Sequence, residues 1–230
     1  MQKQKIKNAI TELSKKMQNA IKINPIKLAK EIQKIGFKCQ LCGQCCKNEL
    51  ADNTVNVFPY EIREIMHNTG LKWTEVATPR NIGDLDKNGI LHTFEWILCR
   101  DKNKNCKFLR EDNKEYKCII YGFKPLICKT YPFFIENGTL EVSDCKGLGQ
   151  KICKEDSIQL AKSLKERYII EIKESINLLK NFKEFKGSIY GVNIDITKKE
   201  ELDIIVHDSE GAWKVKYSKG SFYFCKPSPF

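Results

Sequence analysis

The sequence lacks long apolar runs, glycine-rich phosphate loops and any abundance of arginine, and these shortages exclude several classes of protein. Its apolar stretches are only a few residues long, so no segment can span a bilayer and membrane insertion is not expected. The basic N-terminus has no apolar run and no small-residue cleavage site, so no secretory signal is expected. No G-x-G-x-x-G motif follows a predicted strand, which argues against dinucleotide binding.

The overall composition is typical of a folded chain. Of the 230 residues, 41% are apolar and 30% are charged, which is too apolar for a wholly disordered protein. This length allows one domain, or one domain with an appendage, and it is sufficient to bury a core.

Cysteine, in contrast, is abundant. The chain has eleven cysteines, and all except Cys225 lie between residues 39 and 153. Such a count indicates either a secreted disulfide framework or thiolates that hold a metal in a reducing compartment. The clustering of the cysteines, their odd number and the expected absence of a secretory signal favour metal binding and a cytoplasmic location. Disulfide formation is the alternative interpretation, because intracellular proteins of some hyperthermophiles contain disulfides.

The positive charge is concentrated at the N-terminus. Residues 1–38 contain ten Lys and two Glu, whereas residues 39–150 contain fifteen basic and fifteen acidic side chains. A solvated helix face is the simpler interpretation of this charge. An electrostatic arm for nucleic acid is the alternative, and it is less favoured because arginine, which makes bidentate base and phosphate contacts, is scarce.

The N-terminal segment has the pattern of two amphipathic helices. Residues 2–21 carry apolar side chains at steps of three and four, namely Ile6, Ile10, Leu13, Met17 and Ile21. Asn24-Pro25 has the residue types of a helix start, and Gly36 those of a helix end. Ile26, Ala29, Ile32 and Ile35 form the apolar face that we expect to pack in the core.

The rest of the chain mixes helices and strands. We expect a short helix over residues 59–67 and a long one over 157–182 that is capped by Ser157. Asn137-Gly138, between two apolar stretches, predicts a hairpin. Residues 84–89 are predicted to turn, 90–98 to form a strand and 100–117 to be loops. Four short strands are predicted at residues 189–196, 202–206, 212–217 and 222–224.

These elements predict an α+β fold with an irregular, cysteine-rich, metal-organised core, flanking helices and a small C-terminal β element. The sequence divides into four segments, which are a basic helical segment (1–36), a cysteine-rich metal-binding domain (37–153), a long helix that packs on this domain (154–186) and the β element (187–230).

The strongest motif is Cys39-Gln40-Leu41-Cys42-Gly43-Gln44-Cys45-Cys46. Cysteines at steps of three can converge on one centre, as in ferredoxin-type iron–sulfur sites, and the same step forms zinc knuckles. Gly43 allows the tight bend. Because Cys46 follows Cys45 directly, we expect their side chains to diverge, either to different metals or with one outside the ligand set.

The cysteines downstream supply further candidates. Their number permits two four-coordinate sites but does not prove two. Cys99 can be interpreted either as a metal ligand or as a core residue, because it directly follows the apolar stretch Trp96-Ile97-Leu98. Cys225 is interpreted as a small buried structural residue. The three histidines, His67, His92 and His207, lack ligand spacing and are interpreted as surface or core residues.

Several of these motifs together resemble a known family. The cysteine cluster at 39–46 is followed by Cys106-Lys107-Phe108-Leu109, by Cys118-Ile119-Ile120-Tyr121, by Cys128-Lys129-Thr130-Tyr131-Pro132 and by Cys145-Lys146-Gly147. This order resembles the YkgJ-type, or CxxCxxCC, family of zinc- or iron-chelating proteins over about residues 37–149. Lys124 and Lys129 stand where the family often has Arg. The cysteine domain of flagellin lysine N-methylase is also similar.

The resemblance implies both a ligand set and a function. The implied metal ligands are Cys39, Cys42, Cys45, Cys46, Cys106, Cys118, Cys128 and Cys145. We therefore expect a metal-binding protein that holds an iron–sulfur cluster or zinc, with a possible protein partner, and the C-x2-C-x2-C step favours iron–sulfur. The first alternative is a cluster-dependent protein lysine N-methyltransferase, implied by the methylase. The second is a nucleic-acid-binding zinc protein, suggested by the basic arm.

Overall fold

The computed structural model describes residues 2–47, 54–112, 115–182 and 184–225. These residues form six α-helices: α1 Gln2–Lys22, α2 Pro25–Ile35, α3 Pro59–Thr69, α4 Trp73–Val76, α5 Leu126–Thr130 and α6 Lys154–Asn181. They also form thirteen strands: β1 Asn56–Val57, β2 Ala77–Pro79, β3 Ile82–Asp86, β4 Leu91–Thr93, β5 Trp96–Leu98, β6 Leu109–Asp112, β7 Glu115–Cys118, β8 Phe133–Glu136, β9 Thr139–Val142, β10 Gly187–Asn193, β11 Glu201–Asp208, β12 Gly211–Ser218 and β13 Ser221–Phe224. The predicted α+β class is confirmed. No described helix combines the length and the apolar character that crossing a membrane requires.

The chain divides into two compact units. The first unit comprises residues 1–49 and 108–176, and the second comprises residues 50–107 and 177–230. Each unit is thus assembled from separate stretches of the chain, and the cysteine-rich segment contributes to both. The division into four segments along the sequence stays a prediction.

The core of the first unit is built by helices α1, α2 and α6 together with the β8–β9 hairpin. Its buried side chains are Ala20, Leu28, Ala29, Ile32, Phe133, Ile135, Ala161, Leu164, Tyr168 and Ile172. Phe37 and Leu148 pack against this cluster. The ammonium group of Lys165 on α6 donates to the carbonyls of Ile21 and Ile23 at 2.7 and 2.8 Å, which satisfies acceptors at the end of α1.

The predicted start and end of α2 are confirmed. The side chain of Asn24 accepts the N–H of Ile26 at 2.9 Å, and Gly36 has a φ of 74°, at which a side chain would be strained. The predicted apolar faces are wrong at two positions, because Ile21 and Ile26 are 52% and 48% exposed. Ala20 and Leu28 face the core instead.

The long helix begins earlier than predicted. Ser157 is buried and donates to the carbonyl of Lys154, so it lies inside α6 and is not its cap. Cys153 takes the capping position, since its sulfur accepts the N–H of Asp156 at 3.3 Å. Glu155 and Asp156 then place negative charge at the positive end of the helix dipole.

The second unit contains a six-stranded sheet and a three-stranded sheet. The order in the larger sheet is β10-β3-β4-β11-β12-β13, and its neighbours are antiparallel except for the parallel pair β4–β11. The smaller sheet has the order β1-β5-β2. The C-terminal strands are therefore part of a larger sheet and not a separate small element, because β10 and β11 pair with strands from the middle of the chain.

Three predictions for the middle of the chain are corrected. Residues 90–98 form two strands, β4 and β5, which belong to different sheets. Asp84 to Asp86 belong to strand β3, and the turn begins only after Asp86, whose carboxylate accepts the N–H of Asn88 and Ile90. The region expected to be loops contains β6 and β7, which pair with each other. Their many charged residues hide the strand pattern, because neither face is deeply buried.

Two histidines form a buried pair in the second unit. Nδ1 of His92 lies 2.9 Å from Nε2 of His207, and the ring of Phe185 stacks on His92. Burial and then the neighbouring His92 lower the pKa of His207 to about 4. Burial also lowers the pKa of His92, against the opposing effect of Asp86. The pair is therefore neutral near pH 7, and both residues belong to the core as predicted.

The core of the first unit predicts a contrast between two isoleucines of the same helix. Ile32 is completely buried in α2, whereas Ile26 is half exposed. We expect Ile32→Ala to lower the free energy of unfolding by about 2–5 kcal/mol because it leaves a cavity. Ile26→Ala should change this free energy by less than about 0.5 kcal/mol. Urea denaturation followed by circular dichroism measures both, and equal losses would contradict the described core.

The histidine pair predicts a loss of stability in acid. Between pH 6.5 and pH 4 the unfolded chain binds a proton at His207 that the folded chain excludes, so stability falls as the pH falls through this window. The full effect is about 3 kcal/mol. Thermal unfolding at several pH values should show a weaker pH dependence for His207→Gln than for a control, His67→Gln, whose side chain is exposed. Identical profiles for the two variants would contradict the pair's role.

Candidate metal centre

Seven of the eight predicted ligands lie in the first unit, namely Cys39, Cys42, Cys45, Cys46, Cys118, Cys128 and Cys145. The eighth, Cys106, lies in the second unit, where it forms a β-bridge with Arg100. All eleven cysteines fall within the described ranges, and none forms a disulfide. Cysteine binds metal as the thiolate.

The first cysteine loop is turned tightly by its backbone. Leu41 and Gly43 have positive φ angles of 51° and 69°, and residues 44–46 form a single 3-10 turn in which the N–H of Cys46 donates to the carbonyl of Gly43 at 2.9 Å. A Cβ at Gly43 would lie 2.8 Å from the ring of Tyr116 on β7. Gly43, which was predicted to allow a tight bend, is therefore also required for the close packing of the Tyr116 ring.

A second loop lies directly against the first. Phe37 and Leu148 form an antiparallel bridge, and the N–H of Lys38 donates to the carbonyl of Gly147 at 2.9 Å. A Cβ at Gly147 would lie 2.4 Å from the carbonyl oxygen of Lys38, so only glycine fits there without a shift of the backbone. This bridge places Cys145 beside the loop that begins at Cys39.

Burial has the largest effect on the pKa of Cys145, and three other thiols contribute to it. Burial raises the pKa of Cys145, and the thiols of Cys42, Cys45 and Cys39 raise it further, while the N–H of Gly147 opposes them from 3.4 Å. We call Cys39, Cys42, Cys45 and Cys145 the four-thiol group. Ionised thiols nearby disfavour the ionisation of Cys145 in addition to the effect of its burial.

The pKa of Cys45 lies below the ordinary value of a cysteine thiol. A hydrogen bond with the thiol of Cys46 lowers the pKa of Cys45 to about 7, burial opposes this shift, and the ammonium group of Lys124 supports it. The two sulfurs lie 3.9 Å apart. The expectation that the side chains of Cys45 and Cys46 diverge is therefore wrong, because the 3-10 turn brings them together.

Three further hydrogen bonds position the segment around Cys128. The guanidinium of Arg167 on α6 donates to the hydroxyl of Thr130 at 2.9 Å and to the carbonyl of Phe133 at 3.4 Å, which fixes α5 on the core. The hydroxyl of Tyr131 donates to the carbonyl of Asp144, the residue before Cys145, at 2.5 Å. Burial, and then the thiol of Cys145, raise the pKa of Tyr131. The Tyr-Pro motif thus contacts the loop that carries Cys145.

The cysteine sulfurs are donor atoms that suit zinc or iron, although they do not surround a common metal position. Within the described ranges, no group of three or more His, Cys, Asp or Glu side chains is arranged to hold a metal ion. Thiolate sulfur is nevertheless the donor that zinc and iron–sulfur clusters prefer. Cys39 and Cys45 are exposed, and Cys42 and Cys145 are half buried, so all four can be reached from solvent.

The cysteines outside the predicted set have other surroundings. Cys99 is buried, its thiol donates to the carbonyl of Thr74, and burial raises its pKa to about 11. It therefore lies in the core. Cys153 caps α6. Cys225 is exposed, so its interpretation as a buried structural residue is wrong.

Gly147 yields a prediction that is independent of any metal. We expect Gly147→Ala to lower the free energy of unfolding by about 1–3 kcal/mol, because the added methyl group must displace the backbone at Lys38. Gly122→Ala is the matched control, since no atom outside its own neighbours lies within 4 Å of the added Cβ. Urea denaturation of both variants tests this. An unchanged midpoint for Gly147→Ala would show that the two loops do not approach closely.

Comparison with known proteins identifies the family. Residues 38–162 match the model of the CxxCxxCC family, which is described as "Putative zinc- or iron-chelating domain" and supports metal binding in general. No curated protein and no solved structure matches the chain. The comparisons show no similarity to flagellin lysine N-methylase, and neither alternative function receives support. Because the match covers more than half of the 230 residues, the chain belongs to the CxxCxxCC family.

Proposed function

We propose that this protein binds zinc or an iron–sulfur cluster through the thiolates of the four-thiol group. The observation that carries the proposal is the backbone bridge between residues 36–38 and 147–149. It joins the segment just before Cys39 to the segment just after Cys145, which supports Cys145 as the fourth sulfur beside the three of the C-x2-C-x2-C loop. Structural zinc takes four ligands, which can all be cysteines, and iron–sulfur clusters are held by cysteine thiolates.

The charges of the group support a cation at this place. Burial raises the pKa of Cys145, and repulsion from ionised Cys42, Cys45 and Cys39 contributes to the same shift. A bound cation reverses the effect and deprotonates coordinating thiols. Zinc would crosslink the two loops, whereas an iron–sulfur cluster would add the capacity to transfer one electron.

The other predicted ligands are proposed for a lesser role. Cys46 contacts Cys45, and Cys118 and Cys128 lie half buried at the end of β7 and in α5 of the same unit. They are candidates for a second centre or for hydrogen bonding to the ligands. Cys106, in the second unit, stays a predicted ligand on the resemblance alone.

The first experiment measures the metal itself. Protein purified without oxygen is analysed for iron, zinc and acid-labile sulfide in the same sample. Iron with an equal amount of sulfide identifies a cluster, and zinc alone identifies a zinc site. If the protein contains neither metal and takes up neither on reconstitution under reducing conditions, the proposal is wrong.

Single variants then test the ligand assignment. We expect Cys42→Ser and Cys145→Ser each to lower the metal content at least fivefold, because each removes one of the four sulfurs. Cys153→Ser and Cys225→Ser are the controls, and both should retain the full content, since Cys153 caps α6 and Cys225 is exposed in the second unit. Metal retained by Cys145→Ser but lost by Cys153→Ser would refute the assignment. Circular dichroism of each variant separates loss of metal from loss of the fold.

A further inference from the structure

The lysines of α2 lie on one side of the helix. Leu28, Ala29 and Ile32 are buried, and at 100° per residue the exposed Lys27, Lys30 and Lys34 fall within a narrow arc on the opposite side. We call these three residues the α2 lysine row. From Lys27 to Lys34 the row extends about 10 Å along the helix axis.

The charge of this row is offset on α2 only by Glu31, which lies four residues after Lys27 and three before Lys34. Within residues 2–36 the acidic side chains are Glu12 and Glu31, and Glu12 lies 3.8 Å from Lys15. Among the described residues, no ion pair involves Lys27, Lys30 or Lys34. The first unit carries 23 of the 40 basic side chains of the chain but only 14 of its 29 acidic ones. A field of this sign attracts polyanions.

We propose that the α2 lysine row binds the phosphate backbone of double-stranded nucleic acid without sequence preference. Lysine is a point charge that suits phosphate, whereas bidentate recognition of base edges is made chiefly by arginine. Residues 1–36 contain no Arg and no aromatic residue. They therefore lack the side chain that most often recognises base edges, and they lack aromatic rings on which unpaired bases could stack. The duplex backbone is the partner that these residues match.

The same helices are poorly suited to a lipid surface. Binding of an amphipathic helix to a membrane requires its apolar face. In this protein Ala20 of α1 and Leu28, Ala29 and Ile32 of α2 are buried in the protein core. The exposed Ile21 and Ile26 lie near the ends of their helices and do not form a face.

Fluorescence anisotropy with a labelled duplex DNA of about 30 base pairs tests the proposal on the full chain with its metal as purified. Three phosphate contacts predict a slope of about −2.7 for the logarithm of the binding constant against the logarithm of salt concentration, so binding should be roughly 40-fold weaker at 200 mM than at 50 mM salt. No binding at 50 mM salt would overturn the proposal. Tighter binding to the single strand, or binding only to phosphatidylserine vesicles, would also overturn it.

A pair of charge-reversal variants locates the surface. K27E/K30E/K34E should weaken binding at least tenfold. K87E/K102E/K199E, with the same change in net charge at exposed positions of the second unit, should weaken it less than threefold. Equal weakening by both variants would show that only the overall charge matters and would overturn the proposal. If the first variant loses its helical circular dichroism, K27Q/K30Q/K34Q replaces it, with K87Q/K102Q/K199Q as control. The outcome does not depend on which metal is bound.

Discussion

The proposed metal centre depends on the close approach of two backbone segments at Lys38 and Gly147. The cysteine loop that begins at Cys39 and the loop of Cys145 are far apart in the sequence, and closing so long a loop costs conformational entropy. Hydrogen bonds between the segments and the packing of Phe37 and Leu148 on the core offset this cost. The approach is possible only because Gly147 has no side chain.

The scaffold beneath this contact is an ordinary hydrophobic core. Helices α1, α2 and α6 bury aliphatic side chains against the β8–β9 hairpin, and Phe37 packs edge-on against Phe133 at 5.7 Å. The guanidinium of Arg167 joins α6 to α5. Thus the positions of the two loops are determined largely by apolar packing. The thiols above the core repel one another when ionised, and a bound cation would convert this repulsion into a crosslink.

Local patterns predicted local structure well. The Asn24-Pro25 start of α2, its end at Gly36, and the hairpin at Asn137-Gly138 are confirmed, because each depends on the conformational preference of one or two residues. Several errors in the middle of the chain concern which strands pair. Residues 90–98 form two strands because each half pairs with a different sheet, and the charged β6–β7 ribbon has little apolar alternation that a pattern could show.

The same distinction holds for the candidate site. The sequence by itself determined the family, the thiol donors and their spacing, since these are properties of residue identity and order. Only the tertiary structure decided that Cys99 is a core residue, that Cys153 caps a helix and that the backbone before Cys39 pairs with the backbone after Cys145. A cysteine becomes a ligand candidate through its burial, its neighbours and the backbone that brings distant thiols together, and these depend on the folded chain as a whole.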